Sequence, residues 1–444
     1  MSEGSLSPVS VDDAASIAEA APLTISQPGR VILWLMTALG LLVFILALNG
    51  ADPRHAWMSF QINLMFWLMA AAAGTMWSSA FHICDAQWCR PVRRIFESMS
   101  CFLLLCVPLL AFMYIGHGSL FAWAHEPAAG KEAWLVGWFV YLRDVLALLL
   151  FAFLARRVVH LSIRRDIGAV RSGLTGASEA AVARWSDKKY NKFVGGWGNN
   201  PEQALRDTSR EMWTLSPIVV VMFAVVMTLL AFDQIMSVDY HWFSTLFGAL
   251  YFMSGVYLAY AFVGIGIGFL RDIHPLYLRK IERRTLHDHG KLLFGFGIFW
   301  AYMFWSHYLP IWYGNLPEET QWVIVRLRLE PWHSLAWVTF AASFIIPFWL
   351  GLSRDVKQMP VLLFCTGVIV AVGMWLQIYV LFAPTLYPNN IPIGLVDLFI
   401  TLGFMGAFIL TCVRFLEKYP LMPFGDLYVY EPGPYALEDR EARE

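Results

Sequence analysis

Long apolar runs, separated by short polar or charged stretches, recur along the whole chain. They fall near 31–49, 58–81, 99–119, 133–156, 215–237, 242–268, 292–312, 334–352, 360–383 and 392–416. Each is close to or above the ~20 residues that a helix needs to cross hydrocarbon. The pattern therefore predicts an all-α integral membrane protein of ten transmembrane helices, numbered here as spans one to ten. An even number of crossings puts both termini on one side. The loops 82–98, 156–214, 268–291 and 353–359 hold 22 Lys and Arg, whereas the alternate loops hold only Arg54, Lys131, Arg326 and Arg328. Basic residues collect in cytoplasmic loops during insertion, so both termini are predicted to be cytoplasmic.

Outside the membrane domain, 30–416, the pattern weakens. Residues 1–29 contain no Lys or Arg and no apolar core of a signal peptide, and read as a disordered cytoplasmic tail. Residues 417–444 read as a polar cytoplasmic tail able to dock on a neighbour. The 156–214 connection reads as a basic, partly irregular cytoplasmic loop attracted to anionic headgroups. Across the membrane, 316–331 alternates acids with Trp322, Val323, Val325, Leu327 and Leu329, which predicts a short helix or strand in the outer interface.

Composition agrees: 58% of residues are hydrophobic and 15% charged, far from the ~25% charged of soluble domains. The net charge of −1 argues against nucleic acid as a partner. The six cysteines form no C-x-x-C, so covalent haem, zinc and iron–sulfur sites have no sequence support. Of the histidines, only His117 and His307 are predicted to lie inside spans. No Walker or Rossmann glycine motif is present. The chain is expected to bind no cofactor of its own apart from lipids and, as a further candidate, quinol.

Ionisable groups in the bilayer cost at least ~2.5 kcal/mol each and so mark candidate sites. Arg143 and Asp144 are expected at roughly mid-depth in span four, Asp233 near the outer end of span five, and His307 similarly in span seven. Asp239 and His241 occupy the outer turn between spans five and six. Together they form an expected outer polar cluster, suited to proton exchange or to hydrogen bonding a quinol headgroup. Arg143 and Asp233 serve equally well as an orienting ion pair, and turn formation accounts for Asp239 and His241. At the inner end of span two, His82 and Asp85, followed by Arg90, Arg93, Arg94 and Glu97, form either a proton entry or a snorkelling interfacial network.

The wording of spans five to seven is more specific. The run Ala231-Phe232-Asp233-Gln234-Ile235-Met236-Ser237-Val238-Asp239-Tyr240-His241-Trp242, extending to Gly248, resembles the F-type membrane subunits of alternative complex III. These belong to the bacterial quinol:cytochrome c or quinol:cupredoxin oxidoreductases, in the NrfD-like, polysulfide-reductase membrane-subunit group. His287-Asp288-His289-Gly290-Lys291, continuing through Trp300 and Trp312-Tyr313-Gly314-Asn315 to Thr320, carries the same resemblance, which covers about residues 55 to 420.

The resemblance implies two four-helix bundles, spans two to five and six to nine, with spans one and ten flanking. It implies a multi-pass protein of the bacterial inner membrane. As partners it implies a C-type paralogous membrane subunit that carries the quinol site, haem c and iron–sulfur subunits, and, as a further candidate, a terminal oxidase. The F-type subunit itself is then a scaffold and candidate proton path without its own redox centre. One departure is plain. Where the family usually shows His-x-x-Gly-Ala-x-Trp, this chain reads His82-Ile83-Cys84-Asp85-Ala86-Gln87-Trp88, with an acid at the glycine position. The competing expectations are a chain that itself binds and oxidises quinol, and a secondary transporter. The near-absence of interrupted spans argues against the transporter.

Overall fold

The computed structural model describes residues 11–425 except 87, 127, 196, 198 and 199. Among these residues, ten helices are long and apolar enough to cross a membrane: Gln27–Leu48, Pro53–Ile83, Arg90–Ile115, Gly137–Arg171, Pro201–Asp239, Phe247–Ile273, Arg283–Gly314, Trp332–Leu352, Pro360–Leu386 and Leu395–Leu416. The chain is thus a multi-pass helical membrane protein. Several starts use one device, a polar cap followed by proline. Asp52 accepts from His55 N at 3.2 Å ahead of Pro53, and Asn200 accepts from Gln203 N at 3.1 Å ahead of Pro201. The cap satisfies an orphan N–H, and the proline sits where no donor is needed.

Spans three, four, five and seven run past the apolar segments on the side that carries both termini, called here the terminal face. The 156–214 segment is accordingly mostly helical: the end of span four, a helix Glu179–Trp185, two shorter turns, and the start of span five. Hydropathy could not register these extensions, because their outer turns are polar and owe their order to tertiary packing.

The expected disorder of 1–29 is corrected for its described part. Val11–Glu19 is helical and docks on the terminal-face cap, where Trp185 Nε1 donates to Ala18 O at 3.0 Å and Arg184 Nη1 to Glu19 O at 3.0 Å. His274 Nε2 lies 3.0 Å from Ala21 O. The C-terminal segment docks on its own chain: Tyr277 Oη donates to Leu421 O at 2.9 Å and Tyr190 Oη to Lys418 O at 2.7 Å. Residues 1–10 and 426–444 of the two expected tails lie outside the described residues.

Span two is the pillar. From Ala56 to His82 almost every residue is buried, with spans three, four, five, six, nine and ten packed around it. Spans two, three, four and five pack in a ring, as do six, seven, eight and nine; span two against span six joins the rings. The run Ala70-Ala71-Ala72-Ala73-Gly74 lets its neighbours approach, and Gly255 of span six sits so near that a Cβ there would meet Met69 O at 2.8 Å. Span eight widens into a π turn at Ala341–Ile345, where Ser343 O accepts from Tyr257 Oη at 3.2 Å.

Spans one and ten pair along a glycine contact. A Cβ on Gly403 would meet Gly40 Cα at 2.8 Å, and one on Gly40 would meet Phe399 O at 2.7 Å. Because both neighbours are backbone, neither can yield. Gly403→Leu is expected to separate the two helices and to cost on the order of 1–3 kcal/mol, seen as a lowered unfolding midpoint in detergent. An unchanged midpoint would show that this contact does not hold the pair.

Candidate functional site

Arg143 and Asp144 lie in the second turn of span four, at the end opposite the terminal face. This is shallower than the expected mid-depth, because the helix begins at Gly137 and the residues before it are loop. Asp233 and Gln234 end the α-helical part of span five at the same level. Arg143 Nη2 pairs with Asp233 Oδ2 at 2.5 Å, and its Nε lies 3.8 Å from Asp144 Oδ1. Trp134 Nε1 donates to Asp233 Oδ1 at 2.8 Å, and the indole lies against the guanidinium, 3.7 Å from ring centroid to Cζ. Gln234 Nε2 donates to Asp144 Oδ2 at 2.7 Å, and Gln61 Nε2 of span two donates to Gln234 O at 2.9 Å.

Both carboxylates are fully buried, whereas Arg143 keeps 15% of its side-chain surface. Two carboxylates therefore share one guanidinium. With both acids ionised the trio carries a net charge of −1.

The other members of the expected outer cluster lie elsewhere. Asp239 is half-buried in the 3₁₀ turn that ends span five, and His241 is exposed with its ring on Tyr240, centroids 4.0 Å apart. His307 belongs to the second ring. Its imidazole meets Trp242 edge-on at 5.7 Å and Trp322 at 6.2 Å, while these two indoles stack at 4.0 Å. Spacing along the sequence brought these residues near one level but could not place them on one helix face.

The 316–331 segment is a helix, Pro317–Leu327. Trp322 and Arg326 turn inward from it. Arg326 donates to Val380 O at 3.0 Å, Trp322 O at 3.1 Å, Leu381 O at 2.9 Å and Thr385 Oγ1 at 2.9 Å, tying this helix to span nine. Burial pushes the Arg326 guanidinium down to about 9, against an opposing pull from the Asp239 charge.

At the terminal face the ion-pair centre is deeper than expected. Arg94 pairs with both Glu97 and Asp166, all three fully buried, and Arg93 Nε lies 3.3 Å from Glu97 Oε1. Ser78 and Ser162 donate to Glu97 Oε1 at 2.9 and 3.0 Å. Asp166 Oδ1 accepts from Phe424 N at 3.1 Å and Gly425 N at 2.7 Å, so the C-terminal segment closes the network. Buried geometry replaces the expected snorkelling network, because the start of span three packs inside the bundle.

His82 is buried against Trp213, ring centroids 5.4 Å apart. Asp85 is exposed and takes φ 45° in the turn after span two. That left-handed conformation is open to glycine and tolerated by aspartate, so turn geometry accounts for this acid.

Two further sites were not read from the sequence. His55 Nε2 lies 3.0 Å from Asp397 Oδ2, and Tyr387 Oη donates to Asp52 Oδ2 at 2.6 Å, joining spans two, nine and ten away from the terminal face. Burial, with the Asp52 bond, raises the Tyr387 phenol. His289 was placed before span seven, yet it is fully buried within that helix, 2.9 Å from Tyr260 O; His82 likewise ends span two rather than following it. The helical reach of His287-Asp288-His289-Gly290 into the next apolar run was the available signal. Among the described residues no group of three or more His, Cys, Asp or Glu side chains converges as a metal site would require. Comparison of the chain with models of known protein families and with curated proteins yields no match to either.

Arg143→Met would leave two buried carboxylates without their cation, and is expected to lower unfolding free energy by about 3–5 kcal/mol. Adding Asp233→Leu to it is expected to restore a large part of that loss in thermal unfolding in detergent. Equal damage in single and double variants would show that the two residues are not coupled.

Proposed function

We propose that the chain is an F-type membrane subunit of an alternative complex III, a bacterial inner-membrane quinol:cytochrome c or quinol:cupredoxin oxidoreductase. In this reading it has no redox centre of its own. It scaffolds a C-type paralogue and the haem c and iron–sulfur subunits, and exchanges protons at one end of its first ring. The single observation that carries the proton role is the sharing of Arg143 between the buried carboxylates of Asp144 and Asp233.

Other features support the assignment. The two packed rings with spans one and ten beside them match the pair of four-helix bundles that the resemblance implies. The left-handed backbone at Asp85 explains why the family pattern places glycine there. The positive-inside bias puts the terminal face in the cytoplasm, and hence the Arg143 cluster toward the outer phase.

The same geometry favours local exchange over a relay across the membrane. Asp144 and Ser162 are separated by about 27 Å along span four. Facing that interval, Leu64 to Gly74 of span two are buried and bear no ionisable side chain. Protons taken up at the outer cluster would then return to the outer phase.

Asp144→Asn and Asp233→Asn, in the assembled complex, are expected to preserve electron transfer from quinol to the acceptor. Proton release on the outer side should slow by roughly tenfold or more. Unchanged release in both variants would reduce the cluster to an orienting ion pair. Membership is checked separately: the tagged chain, gently extracted, is expected to bring c-type haem absorbance, an iron–sulfur subunit and a second ten-span subunit. A colourless chain purified alone would overturn it.

A further inference from the structure

Under the helix Pro317–Leu327, among spans six to nine, lies a cavity of about 540 Å³. That volume is within the ~300–1,000 Å³ of small-molecule sites. Its wall is largely aromatic, with Trp300, Phe304, Trp322 and Phe340 contributing. Spans seven and eight pack tightly near the terminal face, where Phe294 stacks on Phe348 and lies against Gly351. At the other end Trp305 and Trp337, both exposed, flank the cavity. Its mouth thus faces the lipid phase.

Two polar groups in this wall lack partners among the described residues. Gln377 is 5% exposed. Its Oε1 accepts from Trp300 Nε1 at 3.2 Å, and because an indole nitrogen only donates, the amide is turned so that the Nε2 donors are left over; Ser254 Oγ, 3.0 Å from Oε1, has its shorter bond to Leu250 O at 2.7 Å. Nε2 has no hydrogen-bond partner, and neither has Nε2 of His307, which is 6% exposed. Arg326 adds a buried guanidinium whose bonds all go to neutral oxygens. Polar nitrogens left unmet in an apolar wall are unfavourable, and the Gln377 amide can only donate, so the site is complementary to an oxygen acceptor on an otherwise apolar molecule.

We propose that this cavity holds one membrane-dissolved molecule that presents a carbonyl oxygen to Gln377 Nε2, with His307 Nε2 as second partner and the aromatic rings around its apolar body. A phospholipid ester and a ring ketone of the quinone type share this chemistry. The site stands apart from the proton cluster, which lies in the other ring.

The test places the full chain in nanodiscs of ether-linked lipid, which lacks carbonyls, and adds either decylbenzoquinone or an ester-linked phosphatidylglycerol before native mass spectrometry. The unmodified chain is expected to retain one molecule of at least one probe. Gln377→Leu is expected to weaken retention about tenfold. Ala336→Phe, which fills the cavity without touching the polar groups, is expected to abolish it; unfolding midpoints are measured in parallel. Retention of the quinone alone identifies a ring ketone, and of the ester alone a lipid, both in support. Retention of neither probe, or equal retention by folded Gln377→Leu and Ala336→Phe, would overturn the proposal.

Discussion

The enclosure of span two on every side is the constraint on which the rest depends. A helix in hydrocarbon satisfies its own backbone, but its polar side chains must find partners within the protein. Thr75 bonds back to Ala71 O at 2.7 Å and Asn63 to Ser59 O at 2.9 Å, while Trp375 of span nine donates to Asn63 Oδ1 at 3.2 Å. Gln61 reaches span five, and Tyr251 of span six donates to Met65 O at 2.8 Å. The three bonds that leave span two fix the rotation of spans five, six and nine about the pillar. Both rings and the span-ten contact are referred to that one axis.

Charge is distributed accordingly. The middle of the pillar, Leu64 to Gly74, is aliphatic, aromatic or small throughout, and the buried ion pairs lie toward its two ends. Removing ions from water is costly, and it is tolerated where each charge meets an opposite charge together with hydrogen bonds. At the terminal face three elements distant in sequence meet this requirement: the start of span three, the inner half of span four and the segment ending at Gly425. At the opposite end Trp134 stacks on Arg143, and one guanidinium stands between two acids. The first arrangement is closed by the chain itself, and the second retains an edge toward solvent. That asymmetry is the physical basis on which proton exchange is proposed for the second.

Part of the site was legible in the sequence. Arg143, Asp144 and Asp233 stood out because ionisable residues are rare in apolar runs, and Asp233 was already the natural partner for Arg143. Asp166 was not legible, since it follows Arg164 and Arg165 in what reads as a basic loop, and its partners come from helices far away in sequence. Arg326 read as a surface charge on an interfacial segment. Only the inward turn of one helical face, against span nine, buried it. His307, Asp239 and His241 share a level with Arg143 but not a helix face, so a list ordered by depth grouped what packing divided.

By itself the sequence determined the number of membrane crossings and their approximate limits. The transfer free energy of a stretch of about twenty residues is a local sum that needs no knowledge of neighbours. Tertiary structure alone decided the ring order, the closing of the terminal face by the segments 11–21 and 418–425, and the cavity beneath Pro317–Leu327. These depend on the rotation of each helix about its own axis. In a bilayer that rotation is set by small-residue contacts and a few side-chain hydrogen bonds between helices, whose energies belong to pairs of residues and not to either residue alone.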